Sequence, residues 1–302
     1  MKLEHLKEIA LSMNCLFKEN EIIAPYTRLK IGGKSLFYIK PSNWESCCKI
    51  IKFISEEKIP FKILGNGTNL LISDGNLNFG VVHILNFEKQ IVFRKNRVKV
   101  SADTLLCEIS EKSFSKEMSG LEEISLIPGT VGGACYMNAG AFGKTIFDIL
   151  EKIWVIDYNG NEKEFLKNTI EFGYRKTNIK DLGVIKSVEF NLKFDDRKII
   201  EAKVKEFKQK RDLSQPWKER TCGSVFKNLV NFSAGKILDS LGFKGRSRGN
   251  VKFSEKHSNF IITKDGAKFE DAFALVEEAR LAAEKKGFSL EYEMEVWNCV
   301  TN

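Results

Sequence analysis

The sequence predicts an α+β fold. A strand, a helix over 44–57 and a second strand open the regular part of the chain, because apolar residues recur at helical spacing between two strand-like runs. Alternating apolar and polar residues over 81–100 and an Asn-Gly pair at 159–160 predict antiparallel strands and a hairpin. Two amphipathic helices, over 195–215 and 269–287, are predicted in the last part of the chain.

Four further elements complete this prediction. A short helix is expected over 1–18, and strand-like segments are expected on either side of the glycine pair at 32–33. The run at 61–64, Phe-Lys-Ile-Leu, predicts a buried strand, and 103–114 predicts a helix. The change to longer charged helices indicates a domain boundary near residue 195.

The most informative stretch is 124–143, which carries no charged side chain although 29% of the residues are charged. It contains five glycines, three alanines and one proline. This composition disfavours a membrane helix or an ordinary core helix, and glycine lets the main chain approach a ligand closely. We therefore expect this segment to contact a bulky, partly anionic cofactor.

Composition limits the class of protein. With 302 residues and 43% hydrophobic content, the chain can bury an ample core and is expected to form two or three domains. The cysteines are Cys15, Cys47, Cys48, Cys107, Cys135, Cys222 and Cys299. They lack the Cys-x-x-Cys spacing of a zinc site, no metal is expected, and their odd number favours a reducing compartment. Charges within the N-terminal apolar pattern argue against a signal peptide, so we expect a cytoplasmic protein.

The net charge of +8 and the pI near 9.0 indicate anionic partners, either nucleic acid or phosphorylated small molecules. The 48 basic residues are spread among 40 acidic ones, and the short basic clusters at 208–211 and 244–248 lack an RNA-binding aromatic motif or a helix-turn-helix pattern. A solvated basic surface is therefore favoured, and nucleic acid is the weaker alternative.

The segment at 65–70, Gly-Asn-Gly-Thr-Asn-Leu, follows a predicted strand and begins like the dinucleotide fingerprint G-x-G-x-x-G. Leu70 stands where the third glycine or alanine belongs, which disfavours a Rossmann domain. A tight turn remains, whose amides and polar side chains could hold a pyrophosphate. A plain loop is equally compatible with this segment alone.

The segment at 138–145, Asn-Ala-Gly-Ala-Phe-Gly-Lys-Thr, is similar to a P-loop, but Asn138 replaces the first glycine. Asp157 follows a strand-like run and imitates the acidic residue that holds magnesium. A glycine-rich segment precedes this motif instead of the strand that a P-loop requires, so the nucleotide triphosphatase hypothesis is disfavoured.

Two glycine-rich segments, 65–71 and 128–143, lie about sixty residues apart. Two separate neutral loops suit a long dinucleotide such as FAD better than a mononucleotide held at one helix end. The residues expected to bind FAD are Gly65, Asn66, Gly67, Thr68, Asn69, Gly129, Thr130, Gly132, Gly133, Asn138 and Gly140.

Eight segments resemble motifs of the UDP-N-acetylenolpyruvoylglucosamine reductases (UDP-N-acetylmuramate dehydrogenases), in the same order and at similar spacing. They are YTRLKIGG, ILGNGTNLLISD, LIPGTVGGACYMNAGAFG, FGYRKT, CGSVFKN, AGKILDSLGFKG, SEKHSNFIIT and EYEMEV. The resemblance covers nearly all of the chain and is to the shorter form of the enzyme, which lacks an inserted substrate loop.

The resemblance implies a vanillyl-alcohol-oxidase-type (PCMH) FAD-binding region of two subdomains over 20–195, after an N-terminal helix at 1–19. A smaller α+β substrate-binding domain would follow over 196–302. It also implies FAD as cofactor, NADPH as co-substrate, and reduction of UDP-N-acetylglucosamine enolpyruvate to UDP-N-acetylmuramate for peptidoglycan, and so for cell-wall biogenesis, cell shape and cell division. We expect a monomer that neither binds nucleic acid nor inserts into a membrane.

This reduction requires hydride from flavin N5 at the β carbon, stabilisation of negative charge on the carboxylate side, and a proton for the α carbon. By resemblance, Arg175 would bind the substrate carboxylate, Ser224 would donate the proton, and Glu295 would be a further acid/base or electrostatic group. A neutral serine is a poor acid unless a cation stabilises its alkoxide, and Lys227 is the candidate cation.

Further substrate contacts are expected from Tyr174, Lys227 and Asn228. Outside its motif, each catalytic candidate would be interpreted as an ordinary surface or turn residue. His257 lies within a family motif, but a hydrogen-bonded structural imidazole is the favoured interpretation over a general base.

Two positions depart from the family's pattern. Leu229 stands where the family usually has proline, and Trp297 stands where it usually has arginine. A different flavoenzyme that oxidises a sugar or an alcohol is the main alternative, but such an enzyme would have no reason to carry the motifs around Arg175, Ser224 and Glu295 together.

Overall fold

The computed structural model describes residues 1–298, so Cys299 lies outside the described residues. The helices α1 to α8 span Lys2–Ser12, Trp44–Glu56, Leu106–Phe114, Val131–Tyr136, Ile179–Leu182, Arg197–Ser214, Ala234–Ser240 and Phe269–Glu284. Among these residues, every helix is too short or too polar to cross a lipid bilayer.

The strands are mostly short. β1 to β10 span Leu16–Glu19, Phe37–Lys40, Phe61–Leu64, Leu70–Ile72, Gly80–His83, Ile91–Arg94, Arg97–Ser101, Met118–Ser119, Gly140–Ala141 and Lys144–Thr145. β11 to β20 span Leu150–Ile156, Glu162–Leu166, Phe172–Gly173, Lys176–Thr177, Val184–Asn191, Lys193–Phe194, Ser247–Arg248, Val251–Phe253, Ile261–Thr263 and Glu295–Trp297.

The chain forms two compact units. Unit 1 consists of Met1–Asn20, Leu36–Asn66 and Phe79–Lys208. Unit 2 consists of Glu21–Ser35, Gly67–Asn78 and the described residues from Gln209 onward. The predicted domains, 1–19, 20–195 and 196–302, stay a prediction. The division into units falls inside the glycine turn at 65–70, between Asn66 and Gly67.

Unit 1 contains two main sheets. The first has the order β1-β2-β5-β3, in which β5 is parallel to both β2 and β3. The second is antiparallel with the order β12-β11-β15-β7-β6. Helix α2 packs Ile50, Ile51 and Ile54 into the same buried cluster as residues of both sheets. A capping box between Asn43 and Ser46 satisfies amides at its start.

Unit 2 has its own core, separate from the core of unit 1. Helix α8 contributes Ala272, Leu275, Val276 and Ala279, which bury the apolar face predicted from the sequence. The antiparallel sheet β17-β18-β19 contributes Phe253 and neighbouring residues to the same cluster. Strand β20 pairs in parallel with β4, which places residues 295–297 beside residues 70–72 at the end of the glycine turn.

The structure confirms the α+β prediction and most of its elements. The predicted β-helix-β start, the hairpin at 159–160 and the two late helices are present. The run at 61–64 forms strand β3, but only Leu64 in it is buried. Among the described residues β3 lies at the edge of its sheet, so one of its sides has no neighbouring strand.

Two element predictions were wrong. The first helix ends at Ser12 instead of 18, because Asn14 adopts a φ of +56° and the chain then enters β1. The run before the glycine pair at 32–33 forms turns instead of a strand. There the Thr27 hydroxyl donates to the carbonyl of Ile31 at 3.1 Å, which closes the loop on itself.

Candidate active site

The two glycine-rich segments meet within unit 1. A Cβ atom on Gly65 would lie 2.9 Å from the Thr130 hydroxyl oxygen, so the main chain at Gly65 lies directly against this side chain. The same hydroxyl accepts a hydrogen bond from the Gly133 amide at 3.1 Å and caps helix α4. The two segments are therefore in contact at Gly65 and Thr130.

The start of α4 is fixed by backbone hydrogen bonds to the turn after β7. The Val131 amide donates to the Thr104 carbonyl at 2.9 Å, and the Gly132 amide donates to the Ala102 carbonyl at 3.0 Å. A Cβ atom on Gly132 would lie 2.9 Å from the Ala102 Cβ atom. Glycine at 132 is thus required by packing against the protein itself.

Gly133 differs from its neighbour. A Cβ atom there would meet only the Thr130 hydroxyl oxygen, at 3.4 Å, so the space beside Gly133 is open. A neutral helix start with an open glycine face fits the close approach of a large cofactor such as FAD. The residues at the start of α4 therefore fit FAD, the cofactor that the sequence predicts.

A buried polar chain supports the Gly65 end of the site. The Nε2 atom of His83 lies 3.0 Å from the Gly65 carbonyl oxygen, and its Nδ1 atom lies 2.6 Å from the Tyr38 hydroxyl. A carbonyl can only accept, so Nε2 carries the proton and Tyr38 donates to Nδ1. Burial lowers the pKa of His83 to about 4, which keeps the imidazole neutral near pH 7. Sequence reasoning missed this pair.

The later residues of the glycine turn belong to unit 2. Gly67 has a φ of +61°, and a Cβ atom there would lie 2.2 Å from the Tyr26 carbonyl oxygen. The Asn69 side chain donates from Nδ2 to the Glu293 carbonyl at 3.0 Å. The backbone carbonyl of Asn69 accepts a hydrogen bond from the Glu295 amide at 2.9 Å. Asn69, a predicted FAD contact, therefore also positions the strand that carries Glu295.

Arg175 lies in a tight turn between β13 and β14, with a φ of +53°. Its Nη2 atom donates to the Gly140 carbonyl at 2.5 Å, and its Nη1 atom donates to the Asn138 carbonyl at 3.4 Å. The guanidinium also lies 4.9 Å from the centre of the Tyr174 ring. The structure thus brings Arg175 and Tyr174 to the uncharged segment.

The P-loop interpretation of 138–145 is wrong in structural terms. These residues form the β9-β10 hairpin, in which Ala141 pairs with Lys144, instead of a loop that enters a helix. The Lys144 ammonium lies 3.6 Å from a carboxylate oxygen of Glu123. Asp157 accepts hydrogen bonds from the amides of its own hairpin turn, as a structural turn residue does.

Ser224 lies on an irregular strand segment of unit 2 and is bridged to Phe260. The next residue, Val225, donates its amide to the Asn259 carbonyl at 2.8 Å. The Asn259 side chain accepts from the Phe226 amide at 2.9 Å and donates to its carbonyl at 2.8 Å. Asn259 is buried, and these two hydrogen bonds of its side chain, here called the Asn259 bracket, hold the backbone next to Ser224. Sequence reasoning missed this interaction.

His257 belongs to the same bracket. Its Nδ1 atom accepts a hydrogen bond from the backbone amide of Asn259 at 3.2 Å. Burial lowers the pKa of His257. This is the hydrogen-bonded imidazole that the sequence favoured.

Glu295 begins strand β20, beside Leu70 of β4. One carboxylate oxygen accepts a hydrogen bond from the indole nitrogen of Trp297 at 2.8 Å. Ser224 and Glu295 thus belong to unit 2, whereas Arg175 belongs to unit 1.

Two family models match the chain. The model described as UDP-N-acetylenolpyruvoylglucosamine reductase, C-terminal domain, matches residues 215–297, and an FAD binding domain model matches residues 35–165. A UDP-N-acetylenolpyruvoylglucosamine reductase from Carboxydothermus hydrogenoformans is 37% identical over 280 residues, which are 92% of this chain and 92% of that protein. The chain belongs to the UDP-N-acetylenolpyruvoylglucosamine reductase family.

Two further members of the reductase family are similar to this chain over most of its length. The reductase from Syntrophus aciditrophicus is 34% identical over 92% of this chain and 90% of that protein. The crystal structure of the reductase from Thermus caldophilus is 30% identical, with a TM-score of 0.81 over 94% of this chain and 100% of that chain. These findings confirm the predicted family and the FAD-binding fold, and they identify a flavin-dependent oxidoreductase.

The remaining candidate residues of this reductase family member have partners in unit 2. The Lys227 ammonium lies 3.1 Å from a carboxylate oxygen of the exposed Glu291. The Asn228 side-chain oxygen accepts the Ala234 amide at 3.0 Å, at the start of α7. The proposed help of Lys227 to Ser224 stays a prediction.

Arg211, near the end of α6, belongs to the basic cluster at 208–211 for which the sequence favoured a solvated surface, but its side chain is buried. It is 8% exposed, and in the described chain its Nε atom has no hydrogen-bond partner. Burial lowers the pKa of Arg211 to about 10. A pattern search cannot find it, because it lies in a helix where many residues are basic. Within residues 1–298, His, Cys, Asp and Glu form no group of three or more that could hold a metal ion.

Proposed function

We propose that this protein reduces UDP-N-acetylglucosamine enolpyruvate to UDP-N-acetylmuramate, with NADPH as the co-substrate, and so supplies a precursor of peptidoglycan. The observation that carries the proposal is family similarity over 92% of the chain, together with an FAD-binding region and a reductase C-terminal domain. Roles in cell-wall biogenesis, cell shape and cell division, a cytoplasmic location and a monomeric state belong to the same proposal.

The residues that would hold FAD are the glycine turn and the segment before and within α4. Gly65, Thr130 and Gly133 support this assignment, because they combine a neutral surface, a capped helix start and open space. When bound, FAD supplies the carrier that passes hydride from NADPH to the enolpyruvyl double bond.

Arg175 would bind the carboxylate of the enolpyruvyl group. Its two carbonyl partners, at Asn138 and Gly140, orient the guanidinium without neutralising its positive charge. A substrate carboxylate would therefore meet a fixed cation, which stabilises the negative charge that develops there during reduction. Tyr174 would cover one face of the same guanidinium.

Ser224 would transfer its Oγ proton to the α carbon. The Asn259 bracket supports this role, because a proton donor must be held within a few tenths of an ångström of its acceptor position. Glu295 would be the negatively charged acid/base partner of the site, and Lys227 and Asn228 would contact the substrate.

The experiment is a spectral titration of the purified protein. FAD absorbance that bleaches with NADPH under anaerobic conditions and returns on addition of UDP-N-acetylglucosamine enolpyruvate would support the proposal. Reoxidation by a sugar or an alcohol-derived carbonyl instead, with no response to the enolpyruvyl compound, would contradict it and favour another flavoenzyme. A protein that cannot be reconstituted with FAD would contradict the cofactor assignment.

A further inference from the structure

Glu295 and Trp297 form a rigid pair on strand β20. They are two residues apart on a strand, so their side chains extend from the same face. The indole Nε1 atom of Trp297 donates to a carboxylate oxygen of Glu295 at 2.8 Å. Trp297 is only 2% exposed, so the donor is held by packing on a large buried ring.

The backbone of this pair is fixed as well. The Glu295 amide donates to the Asn69 carbonyl at 2.9 Å, and the Ser73 amide donates to the Trp297 carbonyl at 2.8 Å. β20 therefore pairs with β4 at both ends of the three-residue strand. The backbone of Glu295 and the indole donor are thus both fixed, and together they hold one carboxylate oxygen in place.

We propose that Trp297 is a positioning residue for Glu295. This inference rests on the proposed function for the role of Glu295, but the hydrogen bond itself can be tested without that function. The indole N–H can only donate, so it always presents the same hydrogen to an acceptor oxygen of Glu295. It carries no charge, so it orients the carboxylate without providing a counter-ion.

A neutral donor at position 297 acts differently from a cationic one. An arginine there would orient Glu295 and also place a positive charge beside it. The indole of Trp297 supplies the orientation without adding a positive charge.

The bond can be observed directly through the indole N–H signals of ¹⁵N-tryptophan-labelled protein. The chain has four tryptophans, and the signal of Trp297 is the one lost in Trp297→Phe. Glu295→Gln is expected to move this signal strongly and the other three little. Trp217 is a matched control, because its indole donates to the carboxylate of Asp212 at 2.8 Å. Asp212→Asn should move the Trp217 signal and leave that of Trp297 in place.

Activity then tests positioning against simple packing. Trp297→Phe keeps a ring and loses the donor, whereas Trp297→Arg keeps a donor and loses the ring. If Trp297 positions Glu295, flavin reoxidation by the enolpyruvyl substrate should slow roughly 10- to 100-fold in the phenylalanine variant, with KM little changed, and should recover in the arginine variant. Reduction by NADPH should be unaffected in both.

Two results would overturn the inference. One is an indole signal of Trp297 that does not respond to Glu295→Gln. The other is a fast phenylalanine variant beside a slow arginine variant, which would assign Trp297 to packing alone. If the wild-type protein does not reduce the enolpyruvyl substrate at all, the proposed function fails. The labelled-indole measurement still decides whether the pair exists.

Discussion

The glycines of unit 1 that would hold FAD and the polar candidates of unit 2 would act in different ways. Gly65, Gly132 and Gly133 contribute main chain, and what matters is the side chain they lack. Ser224 and Glu295 would contribute functional groups, and what would matter is the neighbour that orients each of them: Asn259 for the serine backbone and Trp297 for the carboxylate.

This contrast determines which changes should be harmful in each unit. In unit 1, adding one methyl group should be enough to test a site, because the backbone lies close to another segment or to the space for a ligand. In unit 2, removing a single polar atom should be the informative change. The predictions for Ser224, for Gly132 and Gly133, and for Glu291 test this contrast.

The largest effect is expected for Ser224→Ala in unit 2. Without its Oγ proton, reoxidation of reduced FAD by the enolpyruvyl substrate should slow by about 10²- to 10⁴-fold, the usual contribution of a positioned general acid. Reduction by NADPH should continue at the wild-type rate, because that step needs no proton from Ser224. Stopped-flow absorbance of the two half-reactions checks this.

Ser233→Ala is the matched control for that variant. Ser233 is partly buried in the same unit and precedes α7 without forming a side-chain cap. Its loss should leave both half-reactions unchanged. An alanine variant at 224 with normal reoxidation would remove Ser224 from the mechanism.

Adjacent glycines in unit 1 provide the second prediction. Gly132→Ala should destabilise the protein by about 1–3 kcal/mol, because the new methyl group would meet Ala102 at 2.9 Å. Gly133→Ala should keep or slightly raise the free energy of unfolding without FAD, because only the Thr130 hydroxyl oxygen lies near. Urea unfolding of the apoprotein measures both.

The affinity for FAD should be lowered by Gly133→Ala, the variant that is expected to keep its folding stability. Gly133→Ala places its methyl group in the open space proposed for the cofactor, so it should weaken FAD binding without a loss of folding stability. Equal stability losses in both variants would show that Gly133 is a packing glycine and would weaken the proposed location of the cofactor.

Much of the fold could be predicted from the sequence, because local patterns carry it. The helix at 44–57 and the hairpin at 159–160 follow from apolar spacing and turn chemistry alone. The shortened first helix could not be predicted, since one asparagine in a left-handed conformation ends it. The same composition would have allowed the helix to continue.

The site was predictable only in part, for a related reason. Motifs named Arg175 and Ser224, but their partners lie far away in sequence: the Asn138 carbonyl is 37 residues from Arg175, and Asn259 is 33 residues from Phe226. His83 gave no motif signal, and the basic cluster that contains Arg211 gave no sign that this side chain is buried. Which side chain completes a hydrogen bond depends on tertiary packing, and one sequence does not contain that information in a local form.

His83 provides the third prediction. Burial lowers its folded pKa to about 4 from an ordinary value of 6.5, so the unfolded chain takes up a proton first as the pH falls. The stability from neutral His83 is complete above pH 6.5 and is lost between pH 6.5 and pH 4. Between pH 7 and pH 5 the protein should lose about 2 kcal/mol from this group.

His83→Leu should remove that part of the pH dependence, whatever its own stability at pH 7. The measurement is the difference between the free energies of unfolding at pH 7 and pH 5 for each protein. An identical slope in wild type and His83→Leu would show that folding does not lower the pKa of His83.

The smallest effect is expected at the surface of unit 2, for Glu291→Gln. Glu291 is 74% exposed and pairs with Lys227 at 3.1 Å, so its loss should change stability by less than about 1 kcal/mol.

The effect of Glu291→Gln on KM is more informative. If Lys227 contacts the anionic substrate, Glu291 competes for its ammonium, and KM should fall slightly in Glu291→Gln but rise in Lys227→Gln. A KM that rises in both variants would mean that the ion pair shapes the site, and a KM that moves in neither would place Lys227 outside it. This comparison tests whether the charged side chains of unit 2 act on the substrate directly, as the proposed contrast with unit 1 requires.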